Sequence, residues 1–323
     1  MQTYDVVVIG GGPAGMMAAV TASNTGASVL LLEKNNVLGK KLLISGGGRC
    51  NITNNRPVVR EMLSKYKAEG KFLFSTFMQH GVQETLEWFK ERGVDTIEEN
   101  EGRLFPETKM AETVQQALVQ ALVDSAVTVK SQVMVQSVNK AADGFEIVVK
   151  GIDIVQAKKC IVATGGTTRP ETGSTGEGMR WMEALGHTII GNSFALVPLT
   201  LSSDWTSALS GLTIPECRLT LMADGEKHSV HPGKLLFTHV GLTGPTVLNM
   251  SKTVGDLLEY ADVVIKLDLF PGKDPAAMDQ MMREIFAADI NKKVRNALGQ
   301  LIPAALAKAV LNECGIDGET KCN

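Results

Sequence analysis

The stretch DVVVIGGGPAGMMAAVTASNTGASVLLLE, residues 5–33, decides the fold of this chain. Residues 6–9 form a short continuous apolar run, as expected of a strand buried on both faces of a parallel sheet. A glycine-rich turn, a helix of small residues and a second apolar run that ends in an acid follow it. This order predicts a strand–helix–strand unit that binds a dinucleotide.

The glycines of this unit have different mechanical roles. Gly10 makes the turn out of the first strand, and Gly12, which lacks a Cβ, lets the backbone come close to a pyrophosphate. Gly15 allows the following helix to pack tightly on the sheet. The pyrophosphate is expected at the helix N-terminus, where unpaired N–H groups and the helix dipole favour an anion.

Glu33 ends the second apolar run, residues 28–32, and its carboxylate is expected to accept hydrogen bonds from ribose hydroxyls. Because this carboxylate would repel a 2′-phosphate, FAD or NAD is favoured over NADP. The motif alone leaves the choice between a flavin and a nicotinamide open. The alternative is that this turn binds no ligand. The strand before the glycines and the helix and acid after them argue against that alternative.

A polar loop follows the second run where an ordinary crossover helix would be expected. Residues 38–55 read LGKKLLISGGGRCNITNN, which suits an extended polar ligand. Lys41 and Arg49 bring cationic donors, Asn51 brings a neutral one, and the three glycines of residues 46–48 let the backbone approach. The alternative is a surface loop whose Arg49 pairs with a neighbouring carboxylate.

Later segments extend the same architecture. Residues 160–166, CIVATGG, repeat the pattern of a buried apolar strand that ends in a turn of small residues. Residues 127–138 alternate between apolar and polar side chains, and residues 144–149 follow them, as paired strands would. Residues 60–124 are predicted to be a largely helical segment that interrupts the sheet. Within it, residues 110–123 have the pattern of an amphipathic helix.

The pattern changes after about residue 190. Short β-like runs, residues 218–222 and 263–269, alternate with polar turns, and residues 275–312 read as helical with breaks at a glycine and a proline. We therefore predict an α/β protein with a Rossmann-like dinucleotide-binding domain at residues 1–190, an inserted small β-barrel-like domain at residues 191–272 and a short helical region at residues 273–323.

Composition limits the partners of the chain. Its 323 residues are 44% hydrophobic, which is sufficient for a sizeable core. Its net charge of −3 provides no positive electrostatic potential that would attract nucleic acid or an anionic membrane. Neither is therefore expected as a partner. No apolar run approaches membrane-spanning length and no leader pattern follows Met1, so a cytoplasmic protein is expected. The five cysteines lack CxxC spacing, which indicates reduced thiols and no metal site.

Longer motifs resemble those of a bacterial FAD-binding flavoprotein family that includes aminoacetone-oxidase-type enzymes and a bile-acid-reductase-like branch. They are GGGPAG at residues 10–15, LLISGGGRCN at 42–51, ATGG at 163–166, GSTGEG at 173–178, LVPL at 196–199 and LLFTHVGLTGP at 235–245. The resemblance covers most of the chain and implies FAD as the cofactor. Residues 1–190 are accordingly expected to be an FAD-binding domain.

The resemblance also implies a set of cofactor-binding residues. In this set the pyrophosphate is held by Gly10, Gly12, Pro13, Ala14 and Gly15, the adenosine ribose by Glu33 with Lys34 beside it, and the adenine by the backbone of Val135. Further along the cofactor, Lys41, Gly48, Arg49, Cys50 and Asn51 run beside the pyrophosphate, ribityl chain or flavin ring, and Thr164, Gly165 and Gly166 close over it.

The C-terminal end departs from this family pattern. Flavoproteins of this type return to the FAD domain with a last strand, a glycine-rich turn and a helix whose N-terminus stabilises the charge on reduced flavin. This sequence ends LNECGIDGETKCN and contains no such return. We expect that the chain is a truncated product, that it is part of a longer protein, or that another chain completes the site.

The predicted function is that of an FAD-dependent oxidoreductase that exchanges a hydride equivalent between flavin and a small organic substrate, by oxidising an amine or aminoketone with O2 as acceptor. Arg49, Asn51 and His239 are the candidate catalytic residues, and a core or turn histidine is the alternative for His239. No second GxGxxG unit occurs, so NAD(P)H is expected only as a transient partner. The sequence indicates no oligomeric state.

Other functions compete with this prediction. An NAD(P)H-dependent reductase of an activated alkene would use the same flavin in the opposite direction. A flavin-binding module without turnover is a second alternative, because the C-terminal return is missing. A role in tRNA modification is disfavoured by the balance of charges.

Overall fold

The computed structural model describes residues 2–66, 70–151, 154–191 and 195–322. The chain divides into two units, Met1–Ile190 and Gly191–Asn323. In chain order the first unit contains β1 (Gln2–Ile9), α1 (Pro13–Ser23), β2 (Val29–Leu32), β3 (Thr53–Asn54), α2 (Val59–Ser64), α3 (Gly70–Gln79), α4 (Val82–Lys90), β4 (Thr96–Glu99), β5 (Arg103–Pro106), α5 (Ala111–Asp124), β6 (Thr128–Lys130), β7 (Val135–Ala141), β8 (Gly144–Val149), β9 (Val155–Val162) and α6 (Glu177–Ala184).

A six-stranded sheet of order β6-β2-β1-β9-β8-β7 runs through the first unit. The strands β6, β2, β1 and β9 are parallel, and β8 and β7 add to them in the antiparallel sense. Side chains of β1 alternate between two cores: Val8 packs with α1 and α5 on one face, and Val7 packs with β7, β8 and Trp181 on the other. This double burial confirms the predicted fold class and explains why the strand sequence is apolar without interruption.

Two glycines permit close backbone contacts at the end of β1. Gly10 has a φ of +109°, and a Cβ on it would lie 2.5 Å from the carbonyl oxygen of Ala163. A Cβ on Gly15 would lie 1.8 Å from the carbonyl oxygen of Gly10. No side chain fits at either position. Gly10 lets the end of β1 lie against the end of β9, and Gly15 lets α1 cross the end of β1 at this distance.

The prediction of paired strands over residues 127–138 and 144–149 was wrong in its first part. Residues 128–130 form β6, which pairs in parallel with β2, and only β7 pairs with β8. Between them Gln132 has a φ of +59°. The amides of Gln132 and Val133 donate to the carbonyls of Asn35 and Glu33, so the alternating sequence bends at the sheet edge and continues as a new strand.

β9 changes its neighbours along its length. Its residues 155–157 lie between β1 and β8, whereas residues 158–162 pair with β1 and with no other described strand. Cys160, Ile161 and Val162 are half-buried. The second half of β9 therefore has one open edge in the described chain.

The helical segment predicted between residues 60 and 124 contains α2, α3, α4 and α5. A small antiparallel sheet of order β3-β5-β4 accompanies these helices. The amphipathic helix predicted at residues 110–123 is confirmed as α5. Its apolar stripe, which includes Val114 and Leu118, is buried in the same core as Val8. None of the described helices is both long and apolar enough to span a bilayer.

The second unit is built on an antiparallel sheet. It contains β10 (Leu199–Thr200), β11 (Thr213–Ala223), β12 (Glu226–Thr238), β13 (Gly241–Thr243), α7 (Pro245–Leu258), β14 (Val263–Asp268), α8 (Pro275–Ala288), α9 (Val294–Leu298) and α10 (Ala304–Glu313). The strand order is β10-β13-β12-β11-β14. Buried residues of α7, including Val247 and Met250, share one core with Leu219 and Phe237 of the sheet.

Replacing Gly15 tests the steric requirement beneath α1. Gly15→Ala is expected to lower the free energy of unfolding by about 3 kcal/mol, because the new Cβ overlaps the carbonyl of Gly10 and must displace backbone. Urea unfolding followed by far-UV circular dichroism measures the change.

The matched control is Gly255→Ala in α7, where the glycine is exposed and a Cβ would have no described atom within 4 Å. This change is expected to raise the free energy of unfolding by about 0.5–1 kcal/mol through helix propensity. Equal unfolding midpoints for the two variants would contradict the steric explanation.

Candidate dinucleotide-binding site

A cavity of about 260 Å³, the dinucleotide cleft, lies in the first unit at the C-terminal ends of β1, β2 and β9. In an open α/β sheet this is the edge at which ligands bind. The cleft brings together ten residues of the predicted cofactor set, namely Gly10, Gly12, Pro13, Ala14, Glu33, Lys34, Lys41, Val135, Thr164 and Gly165.

The N-terminus of α1 opens onto the dinucleotide cleft through Gly12, Pro13 and Ala14. Within the described chain no side chain caps this helix and no acid lies in its first turn. The first N–H groups of a helix have no intrahelical acceptor and lie at the positive end of its dipole. A Cβ on Gly12 would meet no described atom within 4 Å, so its absence leaves space on the cleft side. This arrangement suits an anionic ligand.

Glu33 lies at the end of β2 with only 7% of its surface exposed. Its Oε2 accepts a hydrogen bond from the Gly11 amide at 2.6 Å, and its Oε1 accepts from the amide and the side-chain Nδ2 of Asn35, each at 2.7 Å. A carboxylate offers about four acceptor sites, of which these donors use three. Glu33 is therefore fixed in place and retains acceptor capacity for a ribose hydroxyl.

Three lysines tie the β2 end of the cleft to the closing segment, residues 165–176, which connects β9 to α6. Lys41 Nζ donates to the Thr168 carbonyl at 2.6 Å and to Ser174 Oγ at 2.7 Å. Lys40 Nζ donates to the Glu171 carbonyl at 2.9 Å. Lys34 Nζ donates to Thr175 Oγ1 at 2.9 Å and pairs with the Glu177 carboxylate at 2.6 Å. An ammonium has three protons, so Lys41 retains one for a phosphate oxygen.

A second cavity of about 550 Å³, the apolar cavity, is lined by α1, α4, α5 and the loop of residues 42–52. It shares Pro13, Ala14 and Lys41 with the dinucleotide cleft. Its apolar walls include Trp88 and Phe89, whose rings meet edge to face with centroids 4.9 Å apart. Its polar side chains are Lys41, Ser45, Cys50, Asn51, His80 and Thr85. The two cavities share the α1 N-terminus, and the carboxylate and ammonium groups of the described lining, apart from the shared Lys41, belong to the dinucleotide cleft.

Cys50 and Asn51 both line the apolar cavity. In the orientation that satisfies its hydrogen bonds, the Asn51 amide nitrogen lies 2.9 Å from the Thr53 carbonyl oxygen. Cys50 is buried, has a φ of +58°, and burial raises the pKa of its thiol despite a hydrogen bond with Ser45. Its thiol is therefore neutral at physiological pH.

Arg49 pairs with a carboxylate and an aromatic ring in this structure. Its Nη1 lies 2.9 Å from both carboxylate oxygens of Glu99, and its guanidinium stacks over the Phe105 ring at 4.2 Å. This pairing lowers the pKa of Glu99. Neither Gly48 nor Arg49 is among the described residues that line the two cavities. The structure thus shows the alternative weighed for Arg49, a pair with a neighbouring carboxylate.

The remaining predicted residues are dispersed. Gly15 is buried beneath the turn of Gly10, and Gly166 lies in the closing segment without lining either cavity in the described chain. His239 belongs to the second unit, where it is exposed in the turn between β12 and β13. Its position matches the turn alternative.

Sequence reasoning missed several residues that line the dinucleotide cleft. They are Asn35, Gly39, Lys40, Val133, Thr172, Gly173, Ser174, Glu177 and Trp181. The GSTGEG motif, one of those that carry the family resemblance, is the signal that could have identified Gly173, Ser174 and Glu177. Asn35 and Lys40 carried no signal beyond their proximity to Glu33 and Lys41.

Residues 4–261 match the family model described as "HI0933-like protein Rossmann domain". Among curated proteins, the ribosomal RNA dihydrouridine synthase of Escherichia coli is 29% identical over 82% of this chain and 62% of its own length. The 3-dehydro-bile acid delta(4,6)-reductase of Clostridium scindens is 27% identical over 77% of this chain and 58% of its own length. The chain thus spans about three fifths of the length of these two relatives.

Solved structures resemble the chain in fold. A flavocytochrome c3 fumarate reductase gives a TM-score of 0.50 at 18% identity, covering 66% of this chain and 47% of its own. The 3-ketosteroid delta1-dehydrogenase of Sterolibacterium denitrificans gives a TM-score of 0.50 at 15% identity, covering 69% and 62%. At these identities the likeness concerns the fold alone.

The cysteines provide a test of the described burial. At about pH 8, iodoacetamide is expected to modify the exposed Cys314 well before Cys50 and Cys160, because burial raises the thiol pKa of both, that of Cys160 to about 11. Peptide mass spectrometry over a time course measures the order. Labelling of Cys50 as fast as that of Cys314 would contradict the buried, neutral thiol.

Proposed function

The chain belongs to the HI0933-like Rossmann family, and we propose that it is an FAD-dependent reductase of an activated carbon–carbon double bond. Membership of this family and a curated relative named as a reductase support FAD as the cofactor and oxidoreductase as the class of enzyme. The direction of the reaction and its substrate are the proposal.

One observation carries the proposed direction. The names of the two curated relatives describe the same chemistry on different molecules. Dihydrouridine is uridine with its C5=C6 double bond saturated, and a delta(4,6)-reductase acts on double bonds conjugated to the 3-oxo group of a steroid. In both cases a carbonyl withdraws electrons from the alkene and makes it accept hydride. We extend this shared chemistry to the present chain.

The residues present fit FAD. The dinucleotide cleft has what the ADP half requires: a helix N-terminus without a side-chain cap in the described chain, a carboxylate at the end of β2 and a lysine between the two cavities. The apolar cavity offers a wall of aromatic and aliphatic side chains for a ring system. FAD is long, with one polar and one largely apolar end, and two cavities that share Pro13, Ala14 and Lys41 suit such a molecule.

Each part of the site has a task in this proposal. FAD, when bound and reduced by NAD(P)H, would supply the hydride that one alkene carbon accepts, and a proton from solvent would complete the saturated product. Lys41 and the α1 N-terminus neutralise the pyrophosphate, and Glu33 binds the ribose. The walls of the apolar cavity, including Trp88 and Phe89, exclude water. Ser45 and Asn51 place hydrogen-bonding groups at the edge of the same cavity. Roles for Arg49 and His239 at the reacting atoms stay predictions.

The proposal takes a small organic enone as the substrate class. A net charge of −3 does not favour a polyanion, and most side chains that line the apolar cavity are uncharged. RNA nevertheless belongs in the test as a competing substrate, because one relative is named for ribosomal RNA. The predicted absence of a nucleic-acid partner stays a prediction.

Anaerobic flavin kinetics test the direction of the reaction. Protein reconstituted with FAD is reduced with NADH or NADPH and then mixed with an α,β-unsaturated ketone, with uridine-containing RNA or with air-saturated buffer. We expect the flavin absorbance to return fastest with the enone and slowly with oxygen. Buffer without acceptor is the control.

Other outcomes favour the other candidates. Fast reoxidation by oxygen after reduction by an amine or aminoketone would establish the oxidase predicted from the sequence and overturn the reductase. FAD that binds without reacting with any donor or acceptor would favour a binding module. Return of the absorbance with RNA alone would move the proposal to nucleic-acid modification.

Gly12 separates ligand binding from folding. Gly12→Val is expected to keep the thermal unfolding temperature of the wild type, because its side chain enters open space, yet to weaken FAD binding at least about tenfold by filling the approach to the α1 N-terminus. Titration with FAD, followed by quenching of flavin fluorescence, measures the affinity. Unchanged affinity in a folded variant would place the pyrophosphate elsewhere.

A further inference from the structure

Asn35 occupies a position that joins two parts of the dinucleotide cleft. Its side-chain Nδ2 donates to Glu33 Oε1 at 2.7 Å and to the carbonyl of Thr172 at 3.1 Å. An amide NH2 has two protons, so both are used. Its backbone amide adds a second hydrogen bond to Glu33 Oε1 at 2.7 Å. One residue therefore binds both the buried acid and the closing segment.

The surroundings of Asn35 hold it in this orientation. Its carbonyl accepts from the Gln132 amide at 3.0 Å, which fixes the backbone against the start of the β6–β7 connection. On the other side, a Cβ on Gly173 would lie 2.6 Å from the Asn35 Nδ2. The closing segment thus packs directly on the Asn35 amide, and any larger residue at position 173 would displace it.

We infer that Asn35 is the positioning residue for ribose recognition, holding the Glu33 carboxylate in its binding orientation and fastening the closing segment, residues 165–176, to it. This inference rests on the dinucleotide binding proposed above. Hydrogen bonds to an ionised carboxylate are stronger than those between neutral groups, so two donors on Oε1 set the rotation of the group. Oε2 is then directed at the Gly11 amide and keeps its remaining acceptor site for a ribose hydroxyl.

The same contacts bear on specificity. A carboxylate that cannot turn away repels a 2′-phosphate, whereas one that can rotate tolerates it better. Asn35 is therefore expected to sharpen the preference for a free ribose over a 2′-phosphorylated one. Because it bridges to Thr172, it is also expected to keep the closing segment ordered in the absence of ligand.

Binding of ADP-ribose and of its 2′-phosphate to the intact chain tests the inference by isothermal titration calorimetry. Asn35→Ala is expected to weaken ADP-ribose binding about tenfold, as loss of a hydrogen bond to a charged group implies, and to reduce the preference over the 2′-phosphate. Asn36 is the matched control, since it is exposed and makes no hydrogen bond with a described residue. Asn36→Ala is expected to bind both ligands as the wild type does.

Asn35→Asp gives a signature that a merely structural residue would lack. It places a second carboxylate against Glu33, so ADP-ribose binding is expected to fail at about pH 8 and to recover towards about pH 5, where the two groups can share a proton. Lys34, Lys40, Lys41 and Glu177 line the same cleft and are unchanged in every variant. A pH effect confined to Asn35→Asp and missing from Asn36→Asp would therefore belong to the carboxylate pair.

Hydrogen exchange adds a readout that does not depend on ligand. In the ligand-free protein, Asn35→Ala is expected to raise amide exchange in residues 165–176 above that of Asn36→Ala. Equal exchange in the two variants would overturn the fastening of the closing segment.

The binding results distinguish a failure of this inference from a failure of the proposed dinucleotide binding. Wild-type affinity and unchanged preference in folded Asn35→Ala and Asn35→Asp variants would overturn the role of Asn35 while dinucleotide binding stands. Failure of the wild type itself to bind ADP-ribose would overturn both.

Discussion

The close approach of α1 to the end of β1 is the constraint on which the rest of the first unit depends. Gly15 permits it, since a Cβ there would overlap the carbonyl of Gly10, and Gly10 in turn lets the end of β1 lie against the carbonyl of Ala163 after β9. The approach puts the N-terminus of α1 at the edge of the sheet where β1, β2 and β9 end. The same geometry that buries the apolar strand on both faces therefore leaves, in the described chain, a helix N-terminus without a side-chain cap, and such an N-terminus suits an anion.

Charge in the cleft is balanced locally. Glu33 is buried, yet three N–H donors surround its oxygens, so the cost of removing it from water is met by hydrogen bonds. Lys34 and Lys41 are held by the closing segment, which gives each ammonium partners before a ligand arrives. The cleft is thus arranged in advance, and a dinucleotide would meet groups that need little reordering.

The residues of the SGGGRCN loop, residues 45–51, have different environments in the structure. Cys50 and Asn51 line the apolar cavity, whereas Arg49 turns away to Glu99 and Phe105. Neighbouring residues in a tight loop point in different directions, so proximity in sequence does not place them at one site. Arg49 fixes the loop to β4 and β5, and in this way supports the wall that Cys50 and Asn51 form.

The sequence by itself determined the strand–helix–strand unit, its glycine turn and the acid at the end of β2, because these depend on local sterics and on residues close together in the chain. It also indicated α5 and the later strands from their periodicity. Tertiary structure alone decided that β6 leaves β7 to pair with β2, that Arg49 pairs with Glu99, and that Asn35 joins Glu33 to Thr172. The physical reason is that pairing and hydrogen bonding between residues distant in sequence depend on how the elements pack, and no local pattern records that.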